Sequence, residues 1–172
     1  MLYTVHCNYK DTTSEKEWND FYSQNKLPSL ISTTGFETSQ RFRSVKFTSR
    51  DYLAVHTIKN IEVITSQEYF KNGGGSFSQW QKNICNWHRN VYNCQFPAPE
   101  VNECEVLLLS RIKLEHLQSE QGYIPFPLEL VGLDKSHFYE SGYVLPRFLS
   151  SAFERLDEVD IYEPITLQLK HQ

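Results

Sequence analysis

The stretch Trp18–Arg43, WNDFYSQNKLPSLISTTGFETSQRFR, contains the signals that decide the fold. Trp18 and Tyr22 stand four residues apart, the spacing of an apolar stripe on a helix that packs on a sheet. Pro28 kinks or restarts this helix. Gly35 can adopt the positive φ angle of a turn before a strand. The stretch therefore predicts a helix, a turn and then a strand.

Strands are predicted on both sides of this helix. Residues 2–9 have no clearly polar face, which favours a central strand. Residues 36–47 alternate with a period of two and predict a second strand, and residues 52–59 predict a third. Only a short turn at residues 49–51 separates the second and third strands, so a hairpin is the natural connection.

The segment after the third strand begins with the glycine-rich run Asn72–Gly75. This run lacks the spacing of a phosphate-binding loop and predicts a flexible turn. Apolar residues with helical spacing follow it and predict a second helix: Phe77, Trp80, Ile84 and Trp87. Residues 90–96 predict a fourth strand. Residues 1–96 together therefore predict a ferredoxin-like β-α-β-β-α-β unit.

The remaining chain predicts a linker at residues 97–103, which contains two prolines, and a second β-rich half at residues 104–172. This half has several strand-like runs and one convincing helix pattern, at residues 147–156. It is consistent with a decayed copy of the first unit. The predicted fold class is thus α+β.

Bulk composition excludes several classes of function. The 172 residues carry a net charge of −4, and no run of Lys or Arg could follow a phosphate backbone, so nucleic acid is not expected as a partner. No apolar run approaches the roughly 20 residues that cross a bilayer. The first ten residues lack the pattern of a signal peptide, so we expect a cytoplasmic protein with no membrane partner.

No metal or cofactor pattern is present in the sequence. The four cysteines, Cys7, Cys85, Cys94 and Cys104, form no C-x-x-C pair and are expected to be small buried side chains. No two histidines show the four-residue spacing of a helical zinc motif. We therefore expect no metal site and no bound cofactor.

A short pattern resembles a known superfamily. Its residues are Trp18, Tyr22 and Lys26-Leu27-Pro28, then Gly35-Phe36, Arg41-Phe42 and Tyr52-Leu53-Ala54. The pattern resembles the dimeric α/β-barrel superfamily and, within it, the EthD-like proteins. Lys26 stands where the family's motif has His, and Thr34 where it has Pro. The second half is similar to two-part relatives only at residues 133–136 and 162–164.

The resemblance implies a sheet with helices on one face and a second sheet closing a barrel against the other. That second sheet would come from residues 104–172 or from a second subunit in a homodimer. The superfamily includes cofactor-free monooxygenases, isomerases and cyclases as well as haem enzymes, so a small organic ligand is implied. Fold alone does not choose among these activities.

Two histidines are the candidate catalytic residues. If Val5 and Leu53 face the helices, then His6 and His56 face the barrel interior together. Asn8 and Tyr52 would lie near them. Either histidine could be a general base that enolises a carbonyl or takes a phenolic proton, with Tyr52 polarising the substrate oxygen. The alternative is two core histidines bonded to their neighbours.

Three residues are candidates for substrate binding. Arg41 and Arg43 share one face of the second strand and could hold a carboxylate, although ion pairs with surface acids fit equally well. Lys26 could bind an anionic ligand or be solvated at a helix end. Asn8 would line the predicted barrel wall.

Two hypotheses of different classes follow. The leading one is a cofactor-free enzyme acting on a small oxygenated or aromatic molecule by acid–base chemistry. The competing one is a non-catalytic binding or interaction module whose barrel is filled by its own Tyr and Phe. An enzyme would need a cavity on the order of 300 Å³ beside the histidines. A haem protein, the third option, would need His6, His56 or His88 facing a large apolar cavity.

Overall fold

The computed structural model of the protein describes residues 1–46, 52–119 and 122–172. The predicted turn at residues 49–51 lies outside these ranges. The strands within them are β1 Leu2–Tyr9, β2 Phe36–Ser44, β3 Tyr52–Ile58, β4 Ile84–Asn93, β5 Glu105–Ser110, β6 Phe126–Pro127, β7 Glu129–Leu133, β8 Ser141–Pro146, β9 Val159–Pro164 and β10 Leu169–Lys170. The α-helices are α1 Glu15–Phe21, α2 Leu27–Ile31, α3 Gln67–Lys71 and α4 Glu115–Ser119. The predicted α+β class is confirmed.

The strands form one antiparallel sheet in the order β6-β8-β5-β9-β2-β3-β1-β4-β7, with β10 added to β2. β1 and β3 are central, as predicted. The sheet passes from the first half of the chain to the second, because β2 pairs with β9 and β4 with β7. The division into two units at residues 97–103 stays a prediction.

The ladder of strand pairs is not a closed barrel, since β6 and β7 end it and pair with different neighbours. Only Leu128 separates these two strands along the chain. Consecutive Cα atoms are about 3.8 Å apart, so the two edges of the curved sheet approach each other at Leu128.

The helical segment after β1 changes its winding in the middle. α1 continues directly into a π-helical turn at Tyr22–Lys26 and then into α2. Pro28 lies in the first turn of α2 and has no N–H to donate to the preceding turn, which is the π-helical one. The predicted irregularity of the helix near Pro28 is therefore present as a change of winding. The π-helical turn places Tyr22 and Lys26 at its two ends.

Two predicted helices are wrong. Phe77 precedes a 3₁₀ helix at Ser78–Asn83, and Ile84 and Trp87 belong to β4. The strand forms because Ile84 pairs with Tyr9 of β1. The predicted helix at residues 147–156 is a shorter 3₁₀ helix, Arg147–Ala152.

The buried apolar side chains form three cores: one on the helix face, one on the concave face and one within the second half of the chain, which includes Val106 and Leu108. The helix face packs against α1, the π-helical turn and α2 and includes Tyr3, Val5, Trp18, Leu27 and Ile58. The concave face joins both halves of the chain and includes Leu2, Phe42, Val55, Leu109 and Tyr162. Among the described residues, no helix is long and apolar enough to cross a membrane.

Candidate functional site

The two candidate histidines lie on opposite faces of the sheet. In the β1–β3 register Tyr3 is opposite His56 and His6 is opposite Leu53, and directly opposite residues share a face. His56 therefore belongs to the helix face and His6 to the concave face. The prediction of one wall carrying both is wrong because the face assigned to β3 was inverted, which an error of one residue is enough to do.

The helix face contains a small cavity around His56. Its walls are the sheet, the helical segment and the loop after α3. Its free volume is about 10 Å³, the space of about one water molecule. It is lined by Tyr3, Val5, Tyr22, Lys26, Leu30, His56, Tyr69, Gly75, Ser76, Phe77 and Trp87.

His56 is completely buried, and only one of its two ring nitrogens has a hydrogen-bond partner among the described residues. Its Nδ1 lies 2.8 Å from the hydroxyl of Ser39, and its ring packs between Tyr3 and Phe36 at centroid distances of 5.5 and 5.3 Å. Its Nε2 is buried and has no hydrogen-bond partner among the described residues. Burial first, and the charge of Lys26 second, lower the pKa of His56 to about 3. The ring is therefore neutral at neutral pH.

Lys26 lies at the end of the π-helical turn, on the opposite wall of the cavity. Its Nζ donates hydrogen bonds to the carbonyl oxygens of Gly73 and Ser76, the second at 2.6 Å. It also stands 5.6 Å and 5.3 Å from the ring centroids of Tyr22 and Phe77. Burial lowers the pKa of Lys26 to about 8, and no carboxylate within the described residues forms an ion pair with it.

The other polar side chains around the cavity include the indole of Trp87 and the phenols of Tyr3 and Tyr69. Trp87 Nε1 is buried without a hydrogen-bond partner in the part of the chain that the structure describes. The hydroxyls of Tyr3 and Tyr69 lie 2.9 Å apart, and the Tyr69 hydroxyl accepts a hydrogen bond from the Gly75 amide. Burial raises the pKa of Tyr3 well above its ordinary value. The cavity thus contains two polar atoms that a guest could satisfy, His56 Nε2 and Trp87 Nε1.

Arg41 lies on the helix face, next to this cavity but outside its lining. Its guanidinium donates to the backbone and side-chain oxygens of Asn19 and to the Ser23 hydroxyl, and its Cζ lies 4.1 Å from the Tyr22 ring centroid. It is 1% exposed, and burial lowers the pKa of Arg41 to about 10. As predicted, Arg41 and Arg43 share a face, since they pair with Ala54 and Tyr52 of β3.

Tyr52 also lies on the helix face, away from His6. Its hydroxyl donates to the carboxylate of Glu15 and accepts a hydrogen bond from Asn19 at 2.7 Å. Burial first, and the hydrogen bond to Glu15 second, raise the pKa of Tyr52 to about 12. Its hydroxyl is therefore engaged outside the cavity that His56 lines.

His6 and Asn8 lie on the concave face with a different set of partners. The Nδ1 of His6 is 3.4 Å from the Tyr162 hydroxyl, and its ring is 5.7 Å from that of Tyr139. The Tyr139 hydroxyl donates to Asp160, which also forms an ion pair with Arg111. This network is an internal structural element that ties β1 to β9. Of the six predicted site residues, the structure brings only His56 and Lys26 to one cavity.

The interior of the concave face is nearly filled. A cavity there has a free volume of about 10 Å³ and is lined mainly by apolar side chains, such as Phe42, Val55, Leu107 and Leu128. Larger grooves of about 820 and 510 Å³ are open to solvent at residues 164–172. Their linings contain no buried, unpartnered side-chain atom of the described residues, so nothing marks them as a site of chemistry.

Among the described residues, the structure shows neither a cluster of metal ligands nor a large cavity beside His56. No group of three or more His, Cys, Asp or Glu side chains could hold a metal ion in the ranges that the structure describes. A haem would need a large cavity beside an accessible histidine, whereas His56 lines a cavity of about 10 Å³ and His6 is 1% exposed.

Sequence reasoning missed five residues of the site: Ser39, Tyr69, Gly75, Phe77 and Trp87. The sequence pattern could have identified Ser39. It stands two residues before Arg41 in β2, so the two side chains share a face of the sheet. Trp87 was assigned to a helix. The glycine-rich turn was predicted as flexible, and its position against Lys26 depends on contacts distant in sequence.

Comparisons with known proteins show the fold. No family model matches the chain, and no curated protein matches its sequence. A "putative monooxygenase" from Lactobacillus acidophilus is similar in structure, with a TM-score of 0.57 and 10% identity over 99% of this chain and 96% of that one. A second "putative monooxygenase", from Fusobacterium nucleatum, has a TM-score of 0.59 and 8% identity over 99% of this chain and 94% of that one. An anthrone oxidase-like protein has a TM-score of 0.60 and 9% identity over 99% of this chain and 93% of that one. These likenesses are consistent with a dimeric α+β-barrel type of fold.

Proposed function

We propose that the protein is a monooxygenase-type enzyme that takes a proton from a small hydroxylated or enolisable aromatic substrate at His56. The observation that carries the proposal is the Nε2 of His56, a fully buried ring nitrogen beside a cavity, with no partner among the described residues. It is the basic nitrogen in the tautomer in which Nδ1–H donates to the Ser39 hydroxyl. A buried polar atom left unpaired costs on the order of 1–3 kcal/mol. Such an atom at a cavity is a mark of a ligand site.

The cavity suits a hydroxyl group on an aromatic ring. A hydroxyl can donate its proton toward His56 Nε2 and accept a hydrogen bond from Trp87 Nε1 with the same oxygen. The surrounding side chains are mainly aromatic, which suits a flat ring. A hydroxyl group is therefore a suitable partner for each of the two nitrogens.

Lys26 has the charge that such a reaction needs. Proton transfer to His56 leaves an oxyanion on the substrate, and the ammonium group of Lys26 faces the same cavity. A cation fixed in a dry site stabilises a developing anion more strongly than it would in water. The imidazolium and the oxyanion also form together, so each offsets the cost of burying the other.

The reaction class follows from the chemistry of the anion and from the names of the structural neighbours. An electron-rich anion is readily oxidised, and dioxygen is the oxidant of monooxygenases. Conversion of a methylene group beside the aromatic ring into a carbonyl consumes one dioxygen and releases one water, so it balances without a reductant. We propose this conversion as the reaction to test first.

The test is dioxygen uptake with a panel of phenols and enolisable aromatic ketones, with the product identified by mass. We expect uptake by the wild type and a fall of about 10²-fold or more in His56→Gln, the size of a general-base effect. His116→Gln is the control, because His116 is exposed and distant from the cavity. Equal rates in the wild type and His56→Gln would reject the proposal.

A second candidate is a non-catalytic binding or interaction module. The observation that favours it is the filling of the helix-face and concave-face cores, whose cavities hold about 10 Å³ each. A small-molecule site normally has at least about 300 Å³. Ligand-induced stabilisation without dioxygen uptake, lost in His56→Gln, would favour this second function.

A further inference from the structure

The walls of the His56 cavity differ in how they are held. Tyr3 and His56 stand on β1 and β3, and each of these strands is hydrogen-bonded on both sides. Tyr22 and Lys26 stand on the continuous helical segment, which buries Leu27 and Leu30. The third wall is the segment Asn72–Phe77, which contains no helix or strand and three consecutive glycines. We call it the glycine flap.

Hydrogen bonds to three parts of the protein hold the glycine flap. The Gly73 and Gly74 amides donate to the carbonyls of Phe70 and Tyr69, and the Phe77 amide donates to the Gln81 side chain. The carbonyls of Gly73 and Ser76 both accept hydrogen bonds from Lys26. The Gly75 amide donates to the Tyr69 hydroxyl at 3.0 Å, and the Asn72 side chain donates to the Thr33 hydroxyl at 3.0 Å. A single side chain, Lys26, thus donates hydrogen bonds to two carbonyl groups of the flap.

Phe77, the last residue of the flap, occupies an aromatic box. Its ring is 2% exposed and lies edge-on to Tyr22 and Trp87, at centroid distances of 5.9 and 5.5 Å. The Nζ of Lys26 stands 5.3 Å from the centroid of the same ring. Edge-on rings and a cation near the ring are the contacts by which proteins recognise an aromatic ligand.

We propose that Phe77 fills the subsite for the aromatic ring of the substrate, and that Lys26 latches the glycine flap closed until the substrate displaces it. The inference rests on the proposed function, because it names the ring subsite of the same site. It accounts for the small resting cavity, which cannot hold a substrate while Phe77 is in place.

The exchange conserves the contacts of the site. The substrate ring takes the place of Phe77 between Tyr22 and Trp87, and its oxyanion replaces the carbonyls of Gly73 and Ser76 as the partner of Lys26. Glycines can absorb the change in backbone angles at low steric cost. Loops that close over a site commonly move in this way, on timescales of microseconds to milliseconds.

The first test measures hydrogen exchange of the flap amides in Lys26→Met. We expect exchange at residues 73–77 to accelerate at least about tenfold over wild type while the central strands stay protected. Lys46→Met is the matched control. Lys46 is also buried and donates to two carbonyls, of Leu156 and Val159, both at 2.6 Å. Unchanged exchange at 73–77 in Lys26→Met would overturn the latch.

The second test measures binding of phenol and toluene to Phe77→Ala by calorimetry. We expect phenol to bind at least about tenfold more tightly than to the wild type and more tightly than toluene. Phe42→Ala, an equally buried phenylalanine on the concave face, should not prefer phenol. Phe77→Leu replaces Phe77→Ala if the latter does not fold. Equal affinities for phenol and toluene, or equal phenol binding by both alanine variants, would overturn the subsite.

The two proposals fail in different ways. Binding and exchange do not depend on turnover, so an opening flap and a phenol-selective subsite without dioxygen uptake would reject the reaction and keep the subsite. Turnover that depends on His56, with flap exchange unaffected by Lys26→Met, would keep the reaction and reject the latch.

Discussion

Lys26 and His56 face one cavity from opposite walls, and the charge of Lys26 is, after burial, the second cause of the low pKa of His56. A proton on His56 is therefore unfavourable while the cavity holds no anion. An oxyanion in the cavity would relieve both effects, because it attracts the imidazolium and the ammonium alike. The pair is arranged so that proton transfer and anion binding favour each other.

The low pKa of His56 predicts a loss of stability in mild acid. Between the lowered pKa of about 3 and the ordinary value near 6.5, the unfolded chain binds a proton that the folded protein does not. Lowering the pH through this window therefore favours unfolding, by roughly 2 kcal/mol between pH 7 and pH 5. Urea unfolding of wild type and His56→Gln at both pH values measures the effect.

We expect the fall in the free energy of unfolding between pH 7 and pH 5 to be smaller in His56→Gln by about this amount. His116→Gln keeps His56 and should therefore keep the contribution of His56 to this fall. An equal fall in wild type and His56→Gln would show that His56 takes up protons in the folded protein as readily as in the unfolded chain.

Lys26 predicts the opposite behaviour in mild alkali. The folded protein lowers its pKa to about 8 from an ordinary value of 10.5, so between these values only the unfolded chain keeps the proton. Raising the pH from 8 to 10 therefore stabilises the fold through Lys26, by roughly 2 kcal/mol. Lys26→Met should lack this contribution. Urea unfolding at pH 8 and 10 measures it.

Lys46→Met serves as the control for this series. It keeps Lys26, so its free energy of unfolding should rise between pH 8 and pH 10 by as much as that of the wild type. A Lys26→Met variant whose stability follows the wild type between pH 8 and 10 would contradict a buried, weakly solvated ammonium group at this position.

The local part of the fold could be predicted from the sequence. Trp18 and Tyr22 gave a helix by their spacing, and the alternation around Arg41 and Arg43 gave β2 and their common face. Pro28 marked the change in the helical segment. These signals depend on residues close in sequence. Tertiary contacts therefore did not change the local structure that they predict.

The faces of the central strands could not be predicted from alternation. Every residue of β3 is buried, as are all of β1 except Asn8, so neither strand has a polar side that marks a face. Only the pairing of Tyr3 with His56 fixes their relative phase, and that contact joins residues far apart in sequence. A site that depends on two such strands is correspondingly hard to place.

The prediction of a helix around Trp87 was wrong for a different reason. Phe77, Ile84 and Trp87 have helical spacing, but pairing of β4 with β1 satisfies the backbone of both strands and overrides it. Asn86 adopts a positive φ of 49°, which ends any regular helix there. The aromatic box around Phe77 therefore combines residues from a helix, a loop and a strand.

Ser39 is expected to position the His56 ring. Its hydroxyl lies 2.8 Å from the Nδ1 of His56, and the side chain is completely buried. Ser39→Ala leaves His56 Nδ1 without that partner, which should cost about 1–3 kcal/mol of stability. The nitrogen chemical shifts of the ring should change as well, because Nδ1 loses its hydrogen-bond partner.

The control for Ser39→Ala is Ser110→Ala. Ser110 is also fully buried, and its hydroxyl donates to the Ile112 carbonyl on the other half of the sheet. We expect a similar loss of stability with unchanged His56 signals. Unchanged ring signals in Ser39→Ala would mean that packing between Tyr3 and Phe36 orients the ring without the hydroxyl.

Gly74 is expected to tolerate no side chain while the glycine flap is closed. A Cβ there would lie 2.3 Å from ring atoms of Tyr69, which is 2% exposed and hydrogen-bonded to Tyr3. Gly74→Ala must therefore displace either Tyr69 or the flap, and overpacking of this kind costs about 1–3 kcal/mol. Because the flap contains three consecutive glycines and no helix or strand, we expect it to move, which a thermal melt and hydrogen exchange at residues 73–77 would detect.

Gly122→Ala separates this steric effect from backbone strain. Gly122 has a positive φ of 72°, and a Cβ there would meet no atom within 4 Å. It should cost about 1 kcal/mol through its backbone alone and leave exchange at the flap unchanged. If Gly74→Ala lowers the melting temperature while the flap amides stay as protected as in the wild type, then Tyr69 has moved instead. The flap would then be a rigid wall of the cavity, because the side chain behind it yields first.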